Sequence, residues 1–187
     1  MPKGKRKSIQ CSPAQNAVFS VETSEQSMVL KKSVIKGYHA FQIRPPSITP
    51  PTRLTVEPEY TNIHDTDACL VWLPPLDSFQ TLLHDSVTDQ KRQLRLRDVA
   101  GLPIGHVPRG IAGFFRTIMD KGHIEAEVTG EPTQSFPPWP APSSEGGGVV
   151  LPCNYIIFHP DIESNFQKLS VILDKIPEGP AMTLNKE

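Results

Sequence analysis

The residue types in this chain that could do chemistry fall into two short stretches. In Tyr60-Thr61-Asn62-Ile63-His64-Asp65 an amide, an imidazole and a carboxylate share one turn-prone passage, with Asp67 just beyond. In Gly101 to Phe115, GLPIGHVPRGIAGFF, a Gly-His-x-Pro-Arg turn stands directly before an apolar, helix-like run. The second stretch has the outline of a phosphate cradle, because a helix N-terminus offers unpaired amides and a positive dipole end, and Arg109 adds a full charge. It is not a Walker loop, which needs Lys and then Ser or Thr after its second glycine, whereas Ile111 follows Gly110. The plainer reading is that Gly105 and Gly110 permit a strand-to-helix turn, that His106 is a satisfied structural residue, and that Arg109 alone touches a phosphate. Ordinary turn chemistry likewise covers Asn62 and Asp65, since both side-chain types bond nearby backbone. A binding role requires their loop to face a groove shared with the Lys36–Phe41 turn.

Other chemistries have less behind them. His64, Asp65, Asp67 and His106 could converge on a metal, but no H-x-x-x-H pair or cysteine cluster supports one, so neither metal nor cofactor is expected. A metal-dependent nuclease or hydrolase is therefore the weakest of the functional readings. No Ser or Cys has the local context of a nucleophile, so no catalytic residue is assigned. Cys11, Cys69 and Cys153 are odd in number and widely separated, which argues against a disulfide framework and implies a reducing compartment.

The elements that must position these residues are sparse in core formers. Of 187 residues, 37% are hydrophobic, 20 are Pro and 12 are Gly, so loops are plentiful. The net charge of −1 hides an asymmetry: residues 1–37 hold seven Lys and Arg against two Glu, leaving the remainder at −6. The basic cluster Lys3-Gly4-Lys5-Arg6-Lys7 reads as nuclear import or as an arm on nucleic acid, with a merely solvated tail the alternative. A nuclear location is expected, otherwise a cytoplasmic one. No run approaches 18 apolar residues and no apolar segment follows the basic start, so no membrane association is expected.

Residues 1–28 read as a disordered basic arm. Strand character starts at Met28 or Lys32 and ends near Gly37, and Tyr38–Ile43 alternates with Phe41 and Ile43 on one apolar face. The proline-rich Arg44–Pro51 is a surface connector. Leu54–Glu57 and the two-sided apolar run Ala68–Leu73 are strands, the latter buried on both faces. Pro74–Asp98 reads as an insertion with a short helix at Leu76, Phe79, Leu82 and Leu83. A short strand then leads to a helix from Pro108 that carries Ile111, Phe114, Phe115 and Ile118, closed by a left-handed Gly122. His123–Thr129 alternates as a half-buried strand. Gly130–Gly148 is a Pro- and Gly-rich loop carrying Phe136 and Trp139, Val149–Phe158 holds another strand, and Ile162–Ile176 forms an amphipathic helix after Pro160.

LTVEPEYTNIHDTDACLVW, a variable insertion, and then DVAGLPIGHVPRGIAGFFRTIMDKGHIEAEVTGE resemble the HIRAN domain, a module at the front of certain fork-remodelling DNA helicases and also found alone. That family shows a strand, an N-P-x-D-x-x-A-like loop, a buried strand, and a G-x-x-x-G-H turn into a helix. Here Asn62–Ala68 occupies the loop and Gly101–Arg109 the turn, in that order and about forty residues apart. Val34–Phe41 looks like the family's first strand and turn, Leu151–Tyr155 like its late strand, and the likeness spans roughly Val34 to Phe158.

The resemblance implies a mainly β fold with added helices (α+β), an OB-like small β-barrel over residues 29–158, carrying the 74–98 insertion and the 130–148 loop. The C-terminal amphipathic helix and tail, 159–187, are appended to it. It further implies a non-catalytic nucleic-acid-binding module recognising single-stranded DNA or its 3′ end, since helicase members hold that end in a pocket and curved sheets suit stacking. The residues carried over are Lys36, His39, Phe41, Asn62, His64, Asp65 and Arg109. Asp65 would accept from a terminal hydroxyl, because near DNA a carboxylate is tolerated only where a hydroxyl replaces the next phosphate. His64 takes a place usually held by a stacking aromatic. The chain departs from the helicase members at His39-Ala40, where they carry Arg and then an aromatic; a histidine at neutral pH carries little charge, while an Arg–phosphate bridge is bidentate and permanent. The alternative is a protein-interaction domain on the same barrel with the DNA pocket lost, its partners met through the C-terminal helix or the Pro-rich loops.

Overall fold

The computed structural model describes residues 26–135 and 148–187. Residues 1–25 of the basic arm, and Phe136 and Trp139 of the long loop, lie outside them. In chain order the elements are β1 (Ser27–Ile35), α1 (Tyr38–Phe41), β2 (Arg53–Pro58), β3 (Cys69–Trp72), β4 (Val87–Asp89), β5 (Leu94–Arg95), α2 (Leu96–Val99), β6 (Pro103–His106), α3 (Arg109–Ile118), β7 (His123–Val128), β8 (Thr133–Gln134), β9 (Val149–Phe158), α4 (Ile162–Leu173) and β10 (Thr183–Lys186).

β-Branched and aromatic runs supply the strands, and they join into one antiparallel sheet in the order β10-β1-β9-β7-β2-β3-β6, with β8 on β9 and β4-β5 a separate hairpin. The fold is thus mainly β with added helices, as the pattern implied. The barrel does not close along a full strand. Instead β6 reaches back to the end of β1 through one bridge, Lys36 to His106, whose two amide-to-carbonyl bonds are both 2.8 Å. β1 is buried at Met28, Val29 and Leu30 in succession because β9, β10 and α4 cover it.

α3 drops its apolar face onto this curved sheet: Ile111, Phe114, Phe115 and Ile118 are buried, and the Phe115 ring meets Tyr155 edge-on at 5.1 Å. The Tyr155 hydroxyl donates to the Val34 carbonyl at 3.0 Å, so the aromatic core is also pinned to β1. Phe115 is wholly buried, and its loss would cost about 3–5 kcal/mol. α4 starts on Asp161, whose carboxylate accepts from the Ser164 amide at 3.2 Å.

Several expectations need correction. Tyr38–Ile43 is not strand-like: Gly37, at φ 79°, turns the chain into the single turn of α1, and Tyr38 is buried while its hydroxyl accepts from Arg44 at 2.9 Å. The helix expected at Leu76–Leu83 is two 3-10 turns, Leu76–Ser78 and Thr81–Leu83, separated by extended residues. Leu76, Phe79 and Leu83 still pack, partly buried, against the core, while Leu82 is exposed. Gly122 does not take a left-handed conformation; a Cβ there would lie 2.2 Å from the Phe158 carbonyl oxygen, so close approach to β9 is what demands glycine. The C-terminal segment also does more than append a helix, since β10 pairs with β1 from Met28↔Lys186 to Lys31↔Thr183.

Candidate nucleic-acid interface

The loop after β2 holds itself in shape. Glu59 donates its amide to the Ala68 carbonyl at 2.9 Å, and the Asn62 amide donates to the Glu59 carbonyl at 3.2 Å, closing a turn with Tyr60 and Thr61 at its tip. The Asn62 Oδ1 accepts from the amides of His64 and Asp65 at 3.1 and 2.9 Å, and Asp65 Oδ1 accepts from Asp67 at 3.1 Å. These are the side-chain-to-backbone bonds that make Asn and Asp turn residues.

What the spacing alone left open is how this loop meets the Gly-His turn. Glu59 joins them: its Oε2 accepts from Asn62 Nδ2 at 2.8 Å and from His106 Nε2 at 3.0 Å. Because a carboxylate only accepts, the His106 proton on this side sits on Nε2. His106 in turn carries the Phe41 ring at 5.5 Å, tilted by 57°. Its backbone exchanges both bonds with Lys36, and this is possible because Gly105 has no side chain: a Cβ there would stand 2.5 Å from the Lys36 carbonyl oxygen. Phe41, His106, Glu59 and Asn62 therefore form one connected line from α1 to the loop. Gly105 and His106 lie in β6 rather than in a strand-to-helix turn: Gly105 serves the close approach to Lys36, and His106 has a structural role.

α3 supplies the other wall. Arg109, at its first turn and 85% exposed, lies 3.4 Å from Asp65 Oδ2, a pair that water screens and that contributes little to stability. Further along the helix, a Cβ on Gly113 would lie 3.2 Å from Asp67 Oδ2, and the Arg116 guanidinium covers the Tyr60 ring at 4.8 Å. Of the residues singled out from sequence, Lys36, Phe41, Asn62, Asp65 and Arg109 come together here, Lys36 through its backbone. His39 and His64 are exposed, on α1 and on the loop, outside the bonded line.

Sequence reasoning missed Glu59, Tyr60 and Arg116. A carboxylate directly after Pro58, at the end of an alternating strand, was the available signal for Glu59; Arg116 and Tyr60, 56 positions apart, gave none. Among the described residues no group of three or more His, Cys, Asp or Glu is placed to hold a metal ion, and no helix is long and apolar enough to cross a membrane. Cys69 is buried, and burial pushes its thiol up to about 11, away from nucleophile chemistry.

No family model and no curated protein matches this chain. The chain is similar in fold to the crystal structure of the HIRAN domain of human HLTF, at 16% identity over 80% of this chain and 92% of that one, with a TM-score of 0.41.

Proposed function

We propose that this chain is a non-catalytic nucleic-acid-binding module that takes the 3′ end of single-stranded DNA where the Asn62 loop meets the Gly-His turn. The observation that carries this reading is Glu59, which ties Asn62 to His106 and so brings Asp65, Arg109 and the half-buried Phe41 ring to one end of the sheet. Phe41 offers a stacking face, Arg109 meets a backbone phosphate, and Asp65 accepts from the terminal hydroxyl. Lys36, His39, Asn62 and His64 complete the rim. The electrostatics favour an end over an internal stretch, since Asp65 would face a phosphate anywhere else. The Lys3–Lys7 cluster supports a nuclear location and a flanking contact to the same strand.

Fluorescence anisotropy with single-stranded DNA ending in a 3′-hydroxyl or a 3′-phosphate tests the reading. Salt-sensitive binding that prefers the hydroxyl supports it, and the absence of salt-sensitive binding to either strand overturns it. A second reading, a protein-interaction domain, is favoured by one observation: Gly113, Phe114 and Thr117 of α3 face Val171 and Ile172 of α4 across an open, largely apolar groove, and Val171 is 50% exposed. If a chain lacking residues 1–25 loses all affinity for DNA, the arm alone binds it and this second reading takes precedence.

A further inference from the structure

We infer that Tyr60, braced by Arg116, is a nucleobase-stacking platform that receives a base next along the strand from the one at Phe41; this rests on the nucleic-acid reading above. Large apolar side chains that stand in water need a reason, and among the described residues six do so: Tyr60, Ile63, Leu82, Val87, Leu102 and Val171. Tyr60 is the one aromatic in that set, at 81% exposure, and Ile63 of the same loop stands at 85%.

Tyr60 is also held in place. The Arg116 guanidinium lies over one face of the ring at 4.8 Å, and Arg116 Nη1 is buried with no hydrogen-bond partner among the described residues. A guanidinium so placed has the ring as its partner, and it keeps the ring from folding down onto the helix while the opposite face stays open. The resulting stack of cation, ring and base accepts any nucleobase, because every base presents a π-face.

The placement follows from the same turn that builds the first site. Tyr60 directly follows Glu59, and Glu59 bonds His106, which carries the Phe41 ring, so the two rings are linked through one carboxylate. On α3, Arg116 lies seven residues after Arg109, about two turns or roughly 10 Å along the same side. The acids at this track are Glu59, bonded to Asn62 and His106, Asp65, paired with Arg109, and Asp67, lodged against Gly113. Arg116 therefore carries its charge beneath the aromatic ring rather than against a carboxylate.

The test uses the full chain and an oligo-dT strand of about ten nucleotides with a single 2-aminopurine moved stepwise inward from its 3′ end. The wild-type chain should quench 2-aminopurine emission at one position inside the terminal nucleotide. Tyr60→Phe should keep that quenching, while Tyr60→Ala should abolish it there, leave quenching at the terminal nucleotide, and weaken binding roughly tenfold. The thermal midpoint of Tyr60→Ala should match wild type, since the ring is exposed. If folded Tyr60→Ala binds and quenches as wild type does, this inference is overturned and the end-binding reading stands. If the wild-type chain binds no oligonucleotide, both fail together.

Discussion

Glu59 and His106, 47 residues apart, meet through Oε2 and Nε2 at 3.0 Å, and this contact converts two separate sequence motifs into one site. The loop contributes Asn62 to the same oxygen and β6 contributes the backbone bridge to Lys36, so the ends of β2, β6 and β1 meet around one carboxylate. Two donors converging on one charged acceptor make stronger bonds than neutral pairs would.

Replacing Glu59 by Ala should orphan both donors. The expected loss of stability is about 1–3 kcal/mol, with Glu59→Gln losing less because an amide oxygen still accepts. Denaturant unfolding of the two variants reads the difference directly. Equal stability of wild type and Glu59→Ala would mean that water replaces the carboxylate without cost.

Much of the sheet was legible from pattern. Leu54–Glu57, Ala68–Leu73 and His123–Thr129 carry the alternation or two-sided apolarity of strands, and each coincides with one, β2, β3 and β7. The Ile111, Phe114, Phe115 and Ile118 spacing gave α3 for the same reason. Failures occurred where one backbone conformation outweighs periodicity. Gly37 at φ 79° diverts Tyr38–Phe41 from an alternating strand into a helical turn. The site was half legible: Asn62 and Asp65 stand in a recognisable turn and His106 ends β6, but their connection through Glu59 depends on the register of β2, β3 and β6, which no local pattern specifies.

Two glycines in the Gly-His stretch should respond to alanine for different reasons. Gly105→Ala places a methyl 2.5 Å from the Lys36 carbonyl oxygen and 2.6 Å from Ile35 Cγ2, both within the bridge that brings β6 to β1. It should cost about 1–3 kcal/mol by overpacking and should open the Lys36–His106 bonds. Gly101→Ala meets nothing nearer than 4.0 Å, but its φ of 77° strains any L-residue, costing about 1–2 kcal/mol while leaving the bridge intact. Amide hydrogen exchange at Lys36 and His106 distinguishes the two: faster exchange in both variants, or in neither, would contradict the assignment.

Stability should decline in alkaline solution because of Cys69. Burial raises its thiol from 9.0 to about 11, so between those values the folded chain keeps a proton that the unfolded chain has released. The contribution is therefore fully present below pH 9 and is lost as pH rises toward 11. Cys153 and Tyr155, raised by burial in the same direction, extend the decline beyond it. Cys69→Ala should flatten the stability profile between about pH 9 and 11 by about one proton of slope. An unchanged slope in that variant would show that Cys69 does not drive it.

Asp65 and Arg109 should separate discrimination from affinity. With Asp65 held 3.4 Å from Arg109, the site presents one anion and one cation side by side, which suits a strand end bearing a hydroxyl beside a phosphate. Asp65→Asn removes the repulsion that a terminal phosphate would feel and frees Arg109 for it. Binding of a 3′-phosphate strand should strengthen severalfold until it equals that of the 3′-hydroxyl strand. Arg109→Ala should instead weaken both strands alike and lower the slope of log affinity against log salt by about one, as expected when one phosphate contact is lost. Anisotropy titrations at several salt concentrations give both quantities. Should Asp65→Asn leave the preference between the two ends unaltered, the carboxylate plays no part in choosing the terminus and the grip must lie elsewhere on the sheet.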